Sequence, residues 1–142
     1  PQTLFVFAAG NRSKDLREND WGNHNLRGSS NVLVVGATDI AGNIAKYSNY
    51  SKENVDLFAQ GDLMIGPAAG TGNELMMMSG TSMSSPAVAN RAIKIIQEHP
   101  EFSTAEVRET LLSEHATSHP AYKDFAIDGR FLVVDCGASL NP

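Results

Sequence analysis

The chain has 142 residues, 42% hydrophobic and 19% charged, with a net charge of −5 and a pI of about 5.2. These values describe one globular domain long enough to bury a core. The acidic balance, with no basic cluster, excludes nucleic acid as the main partner, and no apolar run approaches the roughly 20 residues of a membrane-spanning helix.

Leu4 to Ala9 is a continuous apolar run. It predicts a strand over Thr3–Ala9, buried on both faces and stopped by Gly10-Asn11. Residues 11–30 are rich in Asn, Gly, Ser and Arg and read as a long loop, with Trp21 as its anchor. Strands are expected at Asn31–Ala37 and Val55–Phe58. Gly61 to Leu75 reads as turns, through Gly66-Pro67 and Gly70-Thr71-Gly72-Asn73. Met76-Met77-Met78 reads as adaptable core packing. A helix is expected to begin near Ser82 and to stop before Pro100. Pro86 falls early in it, where a missing N–H is expected to remove no helical bond. Ala87, Val88, Ala89, Ala92, Ile93, Ile95 and Ile96 make that helix apolar on more than one face, which predicts a buried central helix. Ser103-Thr104-Ala105-Glu106 fits a capping box, followed at helical spacing by Val107, Leu111 and Leu112. A late strand is expected at Phe131–Val134. Cys136, the only cysteine, excludes an internal disulfide and reads as a small buried hydrophobe.

The densest chemistry lies in Ser79-Gly80-Thr81-Ser82-Met83-Ser84-Ser85-Pro86. Ser82 stands at a glycine-marked turn where a helix begins. Free backbone N–H groups and the positive dipole end there suit developing negative charge, so Ser82 is a candidate nucleophile for acyl transfer. The plainer reading is an N-cap serine. Ser84 stands where a Gly-x-Ser-x-Gly elbow would need glycine, which argues against an α/β-hydrolase.

The Gly80–Pro86 stretch resembles the active-site serine signature of the subtilisin-like serine proteases (subtilases), Gly-Thr-Ser-Met-x-Ser-Pro. Ala8-Ala9-Gly10-Asn11 resembles the motif that ends a central parallel strand in that family. Asn31–Ala37, Ala45–Ser51 and Val55–Gly61 resemble its succeeding strand, its Ser-Asn-rich turn and its Val-Asp-x-x-Ala-Pro-Gly segment, with Gln60 in place of Pro. The helices follow in family order. Two departures stand out: Ala87-Val88-Ala89-Asn90 replaces the usual His-Val-Ala-Gly, and Phe131 lies where small residues are common. Gly129 and Val134-Asp135 match the end of the family domain only loosely.

The resemblance implies a three-layer α/β/α fold with a mostly parallel sheet, residues 1–142 being the C-terminal part of a subtilase catalytic domain. It implies peptide-bond hydrolysis, with Ser82 attacking, Asn11 and the Ser82 N–H holding the oxyanion, and Met83 backing the nucleophile. Ala8, Ala9 and Gly10 would form one wall of the pocket for the substrate residue before the cleaved bond. A subtilase triad runs Asp, His, Ser along the chain. Neither an Asp nor a His precedes Asn11, and His24, His99, His115 and His119 match no triad position. The chain alone is therefore expected to be inactive until a missing N-terminal half completes it. With its first strand deprived of a central neighbour, it is expected to bind that half or to self-associate. The alternative is a non-catalytic fragment or pseudoprotease acting as a binding module. No cofactor is implied and no run of acidic residues marks a calcium or other metal site. Family membership implies secretion and a peptide or protein substrate.

Overall fold

The structure, a computed structural model, describes residues 3–17, 29–70, 72 and 74–133. In chain order it contains β1 (Phe5–Ala8), β2 (Val32–Thr38), β3 (Leu57–Gln60), β4 (Met64–Pro67), β5 (Leu75–Met78), α1 (Thr81–Glu98), α2 (Thr104–Thr110), β6 (Thr117–Ser118) and β7 (Arg130–Leu132). One sheet runs in the order β1-β2-β3-β7-β6, while β4 and β5 form a separate antiparallel ribbon. The first four strands of the large sheet are parallel, and β6 closes it antiparallel to β7. The fold is α/β with a mainly parallel sheet.

The sheet is built around β2. Its seven residues are all buried, as a strand covered on both faces must be. Leu33 and Val35 point to one side, where they pack with Leu57, Val88, Ala92, Ile95, Val107 and Leu111. That is the layer of α1 and α2. Val32 and Val34 point to the other, against Leu16, Val55, Phe58, Tyr122 and Ala126. Among the described residues this second face is covered by loops and short 3-10 turns. The α2 start bears out its capping box: Ser103 accepts from the Glu106 N–H, and the Glu106 carboxylate accepts from the Ser103 N–H. Beyond Thr110 the chain widens into a π-turn at Leu111–His115, which keeps Leu111 and Leu112 buried.

One buried ion pair crosses from α2 to the sheet. Asp56, just before β3, accepts from the Val34 N–H at 2.8 Å and from Arg108 Nη2 at 2.5 Å. Arg108 Nε donates to the Val32 carbonyl at 2.8 Å. Desolvation raises the Asp56 pKa above the ordinary carboxylate value; the Val34 bond and the Arg108 charge act the other way without cancelling it.

Several expectations from the sequence are corrected. β1 is not buried on both faces: Phe5 is 48% exposed and Phe7 is also exposed. Among the described residues β1 pairs only with β2, so it is an edge strand. α1 is not buried on several faces. Val88, Ala92 and Ile95 form one buried stripe, and Ile93 on the other side is 52% exposed. The sheet offers the helix one face only.

Pro86 does not fall where its missing N–H is harmless. It is the sixth residue of a helix that begins at Thr81, so it removes the bond that the Ser82 carbonyl would accept. The segment expected to be turns contains the β4–β5 ribbon, with Met64 opposite Met78 and Pro67 opposite Leu75. The methionine run is not core: Met77 is 61% exposed, and Met76 is exposed too. Strand pairing within a small ribbon places them there, not burial. The three strands expected at Thr3–Ala9, Asn31–Ala37 and Val55–Phe58 begin one or two residues later. The late strand is Arg130–Leu132. Trp21, His24, Val134, Asp135 and Cys136 lie outside the described residues.

Candidate functional site

The carboxyl end of β1 meets the amino end of α1, at the edge of the sheet where open α/β folds place their ligands. The Ala9 N–H donates to the Val35 carbonyl and continues the parallel pairing. The chain then turns at Gly10, with φ +96°, a conformation that suits glycine. A Cβ on Gly10 would stand 2.7 Å from Asn49 Nδ2.

Asn49 is buried and braces the turn. Its Nδ2 donates to the Ala9 carbonyl at 2.8 Å, and its Oδ1 accepts from the Arg12 and Lys14 N–H groups at 3.0 Å each. Its own N–H donates to the Gly10 carbonyl. Ser48, also buried, accepts from the Ala37 N–H and ties this turn to β2.

Asn11 is held by Thr81. Its Oδ1 accepts from the Thr81 N–H and from Thr81 Oγ1, both at 2.9 Å. Thr81 Oγ1 in turn accepts from the Gly10 N–H at 3.0 Å. A backbone N–H can only donate, so the atom facing it must be the amide oxygen. The Asn11 Nδ2 is thereby turned away from Thr81, and it donates to nothing among the described residues.

Ser82 is exposed, the second residue of α1. It is not the N-cap. Gly80 is, and no side chain caps the helix. Met83 N–H donates to the Gly80 carbonyl, while the Ser82 N–H takes no partner among the described residues. Ser84, buried, donates to the Thr81 carbonyl. Two unengaged donors, Ser82 N–H and Asn11 Nδ2, therefore flank the Ser82 turn at the positive end of a helix, an arrangement suited to an anion.

Gly80 makes the approach possible. Its φ is +153°, and a Cβ would stand 3.1 Å from Asn11 Nδ2. Its N–H donates to the Gly61 carbonyl at 2.8 Å, bracing the turn against the end of β3. Gly80→Ala is expected to destabilise the chain by about 1–3 kcal/mol, the cost of a strained backbone. The urea midpoint checks this; an unchanged midpoint would mean that the turn relaxes freely.

A cavity of about 430 Å³ opens beside Asn11, lined by Ala8, Ala9, Gly10, Arg12, Lys14, Leu16 and Asn49. Ala8, Ala9 and Gly10, expected to wall a substrate pocket, are among the residues on this lining. Thr81, Asn49 and the basic residues Arg12 and Lys14 were not singled out from the sequence. A buried Asn in a Ser-Asn-Tyr-Ser turn is the signal that marks Asn49.

The described histidines lie in other settings. His99 follows the far end of α1, about 26 Å from Ser82 at 1.5 Å per residue, and stacks on Phe102. His119 accepts from the Ala121 N–H and packs on Tyr122 and Phe131. Among the described residues no group of three or more His, Cys, Asp or Glu is placed to hold a metal, and no helix is long and apolar enough to cross a membrane.

A helix-borne serine thus stands near an amide at the carboxyl end of a parallel strand. The model of the subtilase family matches residues 1–131, and the chain belongs to that family. It is 37% identical over 104 residues to the subtilase-type proteinase psp3 of Schizosaccharomyces pombe, covering 73% of this chain and 22% of that protein. It is 36% identical over 88 residues to the cuticle-degrading serine protease of Arthrobotrys oligospora, covering 62% of this chain and 20% of that protein. A solved cold-adapted subtilisin-like serine proteinase superposes with a TM-score of 0.73 at 27% identity, over 92% of this chain and 45% of that one. The chain spans about a fifth of these curated relatives and under half of the solved neighbour.

Proposed function

We propose that this chain is the nucleophile-bearing part of a serine endopeptidase, the C-terminal portion of a subtilase catalytic domain. The observation that carries the reading is the pinning of Asn11 by Thr81, which leaves Nδ2 and the Ser82 N–H as two free donors on either side of the Ser82 turn. Ser82 Oγ attacks the scissile carbonyl carbon and the C=O electrons move onto oxygen. The Ser82 N–H and Asn11 Nδ2 stabilise that oxyanion, the amine departs, and water releases the acyl group from Ser82. Ala8, Ala9 and Gly10 wall the side-chain pocket. A base must take the proton from Ser82 and deliver it to the leaving amine, and in this reading an Asp- and His-bearing segment outside these residues supplies it. The substrate is a peptide or protein. Secretion follows from family membership in the same reading.

The isolated chain is expected to hydrolyse a chromogenic peptide negligibly, since oxyanion and binding effects alone give about 10³–10⁴ over water. Adding the Asp- and His-bearing segment is expected to restore turnover, and Ser82→Ala to abolish it. Turnover near that of an intact subtilase from the chain alone, lost on Ser82→Ala, would place the base within these residues and overturn the reading.

A second reading is favoured by β1. Its outer edge and the exposed Phe5 and Phe7 form a template for another strand. In that reading the chain is an assembly module that pairs with an Asp- and His-bearing segment or with a second copy. Fast amide exchange along Phe5–Ala8 in the chain alone, slowed on adding that segment, is the expected result. A stable monomer with those amides already protected would overturn it.

A further inference from the structure

We infer that Tyr47 is a positioning residue for the oxyanion site: its phenol hydroxyl seats the turn that carries Ser82, and its backbone carbonyl holds the stretch that carries Asn11. The inference rests on the proposed peptidase reading.

The Ser82 turn sits on Gly61. The Gly80 N–H, two residues before Ser82, donates to the Gly61 carbonyl at 2.8 Å. A Cβ on Gly61 would stand 2.7 Å from the Gly80 carbonyl oxygen and 3.2 Å from the Ser84 Cβ, so the two backbones meet with no side chain between them. Gly61 is itself held from β2, since its N–H donates to the Thr38 carbonyl at 3.1 Å. A second bond runs alongside, from the Leu63 N–H to Ser79 Oγ at 3.0 Å. A shift of the Gly61 carbonyl therefore carries the Ser82 turn with it.

Tyr47 Oη donates to this same Gly61 carbonyl at 3.1 Å. A carbonyl oxygen has two lone pairs, and here the Gly80 N–H and the Tyr47 hydroxyl take one each. Burial, and after it the Asp62 charge, raises the Tyr47 pKa above the ordinary phenol value, against an opposing bond with the Gly80 N–H. The phenol thus keeps its proton and donates at neutral pH. A half-buried hydroxyl needs only some acceptor. What carries the inference is that its acceptor is the one already holding Gly80.

The root of Tyr47 lies on the side of the other donor. Its carbonyl accepts from the Ser13 N–H at 2.9 Å, two residues beyond Asn11. One residue thereby ties the two stretches whose free donors must converge on one oxygen. Misplacement there is costly, since a displacement of about 1 Å in a reacting geometry can cost on the order of 100-fold in rate.

The test compares the full-length protein with its Tyr47→Phe variant, which keeps the ring and loses the donor. The expected result is a fall in kcat of about fivefold, the equivalent of one hydrogen bond, with KM within about twofold. In an inactive Ser82→Ala background, Tyr47→Phe is expected to shift the Gly80 and Thr81 amide resonances and to speed exchange of the Gly80 N–H. Replacing Tyr47 by 4-aminophenylalanine returns a donor on the same ring and is expected to recover most of the turnover. That protein also decides the matter if Tyr47→Phe folds poorly. Unchanged kcat in a folded Tyr47→Phe protein, a change in KM alone, or a folded 4-aminophenylalanine protein still about fivefold down in kcat would overturn the inference while leaving the peptidase reading intact. Absence of cleavage, or cleavage that survives Ser82→Ala, would overturn that reading instead. The positioning role is then judged from the amides: displaced Gly80 and Thr81 resonances support it, and unmoved ones overturn it.

Discussion

On the proposed peptidase reading, replacing Asn11 by Leu in the full-length protein is expected to lower kcat by roughly 10²–10³ with KM nearly unchanged, a magnitude carried over from a subtilisin side-chain donor. The split follows from geometry. A donor that meets only the developing oxyanion affects the transition state and leaves ground-state binding alone. Asn11 Oδ1 is occupied twice by Thr81, so Nδ2 is the only end of the amide free to act. In that reading Thr81 is a positioning residue. Thr81→Val removes the hydroxyl but keeps the backbone N–H, which loosens Asn11 without releasing it. It also removes the acceptor of the Gly10 N–H; the lost bond to Asn11 alone, about 1 kcal/mol, corresponds to about a fivefold fall in kcat. Thr81→Ser is expected to recover most of that fall, because the bonding oxygen returns. Unchanged kcat in a folded Asn11→Leu protein would reduce Asn11 to a turn residue. A Thr81→Ser variant as impaired as Thr81→Val would show that the methyl group, not the hydroxyl, matters.

The largest expected effect on stability comes from Arg108. Arg108→Met is expected to cost about 3–5 kcal/mol, because it leaves the Asp56 carboxylate buried without its partner. The pH dependence has a definite sign. In the folded protein the Asp56 pKa is raised by desolvation, so between the unfolded and folded pKa values the native state holds the extra proton. Stability contributed by Asp56 is then fully present below the unfolded pKa and is lost as pH rises through the folded one. Removing Arg108 raises the folded pKa further. The deficit of Arg108→Met is therefore expected to shrink on acidification, as Asp56 takes up its proton and ceases to be an orphan charge. Denaturant melts at neutral and mildly acidic pH measure this. A deficit that grows on acidification would mean that the lost contribution is the attraction itself and not the relief of a buried charge.

The parts of the fold legible in the sequence are those with local causes. Ser103 and Glu106 announce the start of α2 because a capping box is closed within four residues. β2 is legible because an unbroken apolar run fits burial on both faces. Ser82 and the Ala8–Asn11 stretch are legible as motifs, and the chain folds so that the two meet. What escaped detection depends on distant partners. Thr81 and Asn49 act on Asn11 and on residues 9–14 across 35 residues or more, and no local pattern advertises a hydroxyl that will meet an amide 70 positions away. The exposure of Phe5, Ile93 and Met77 escaped for the same reason. Apolarity says that a residue prefers cover, not whether a neighbour stands there to give it.

The bracing of residues 9–14 by Asn49 has an evolutionary consequence. Asn49 grips the backbone of this stretch, its oxygen on the Arg12 and Lys14 N–H groups and its nitrogen on the Ala9 carbonyl. It makes no demand on what the Arg12 side chain is. Position 12 is therefore a place where the side chain can drift while the backbone stays put. A lineage can exchange arginine there by point substitution and retain the turn and the setting of the Asn11 amide without refolding the loop.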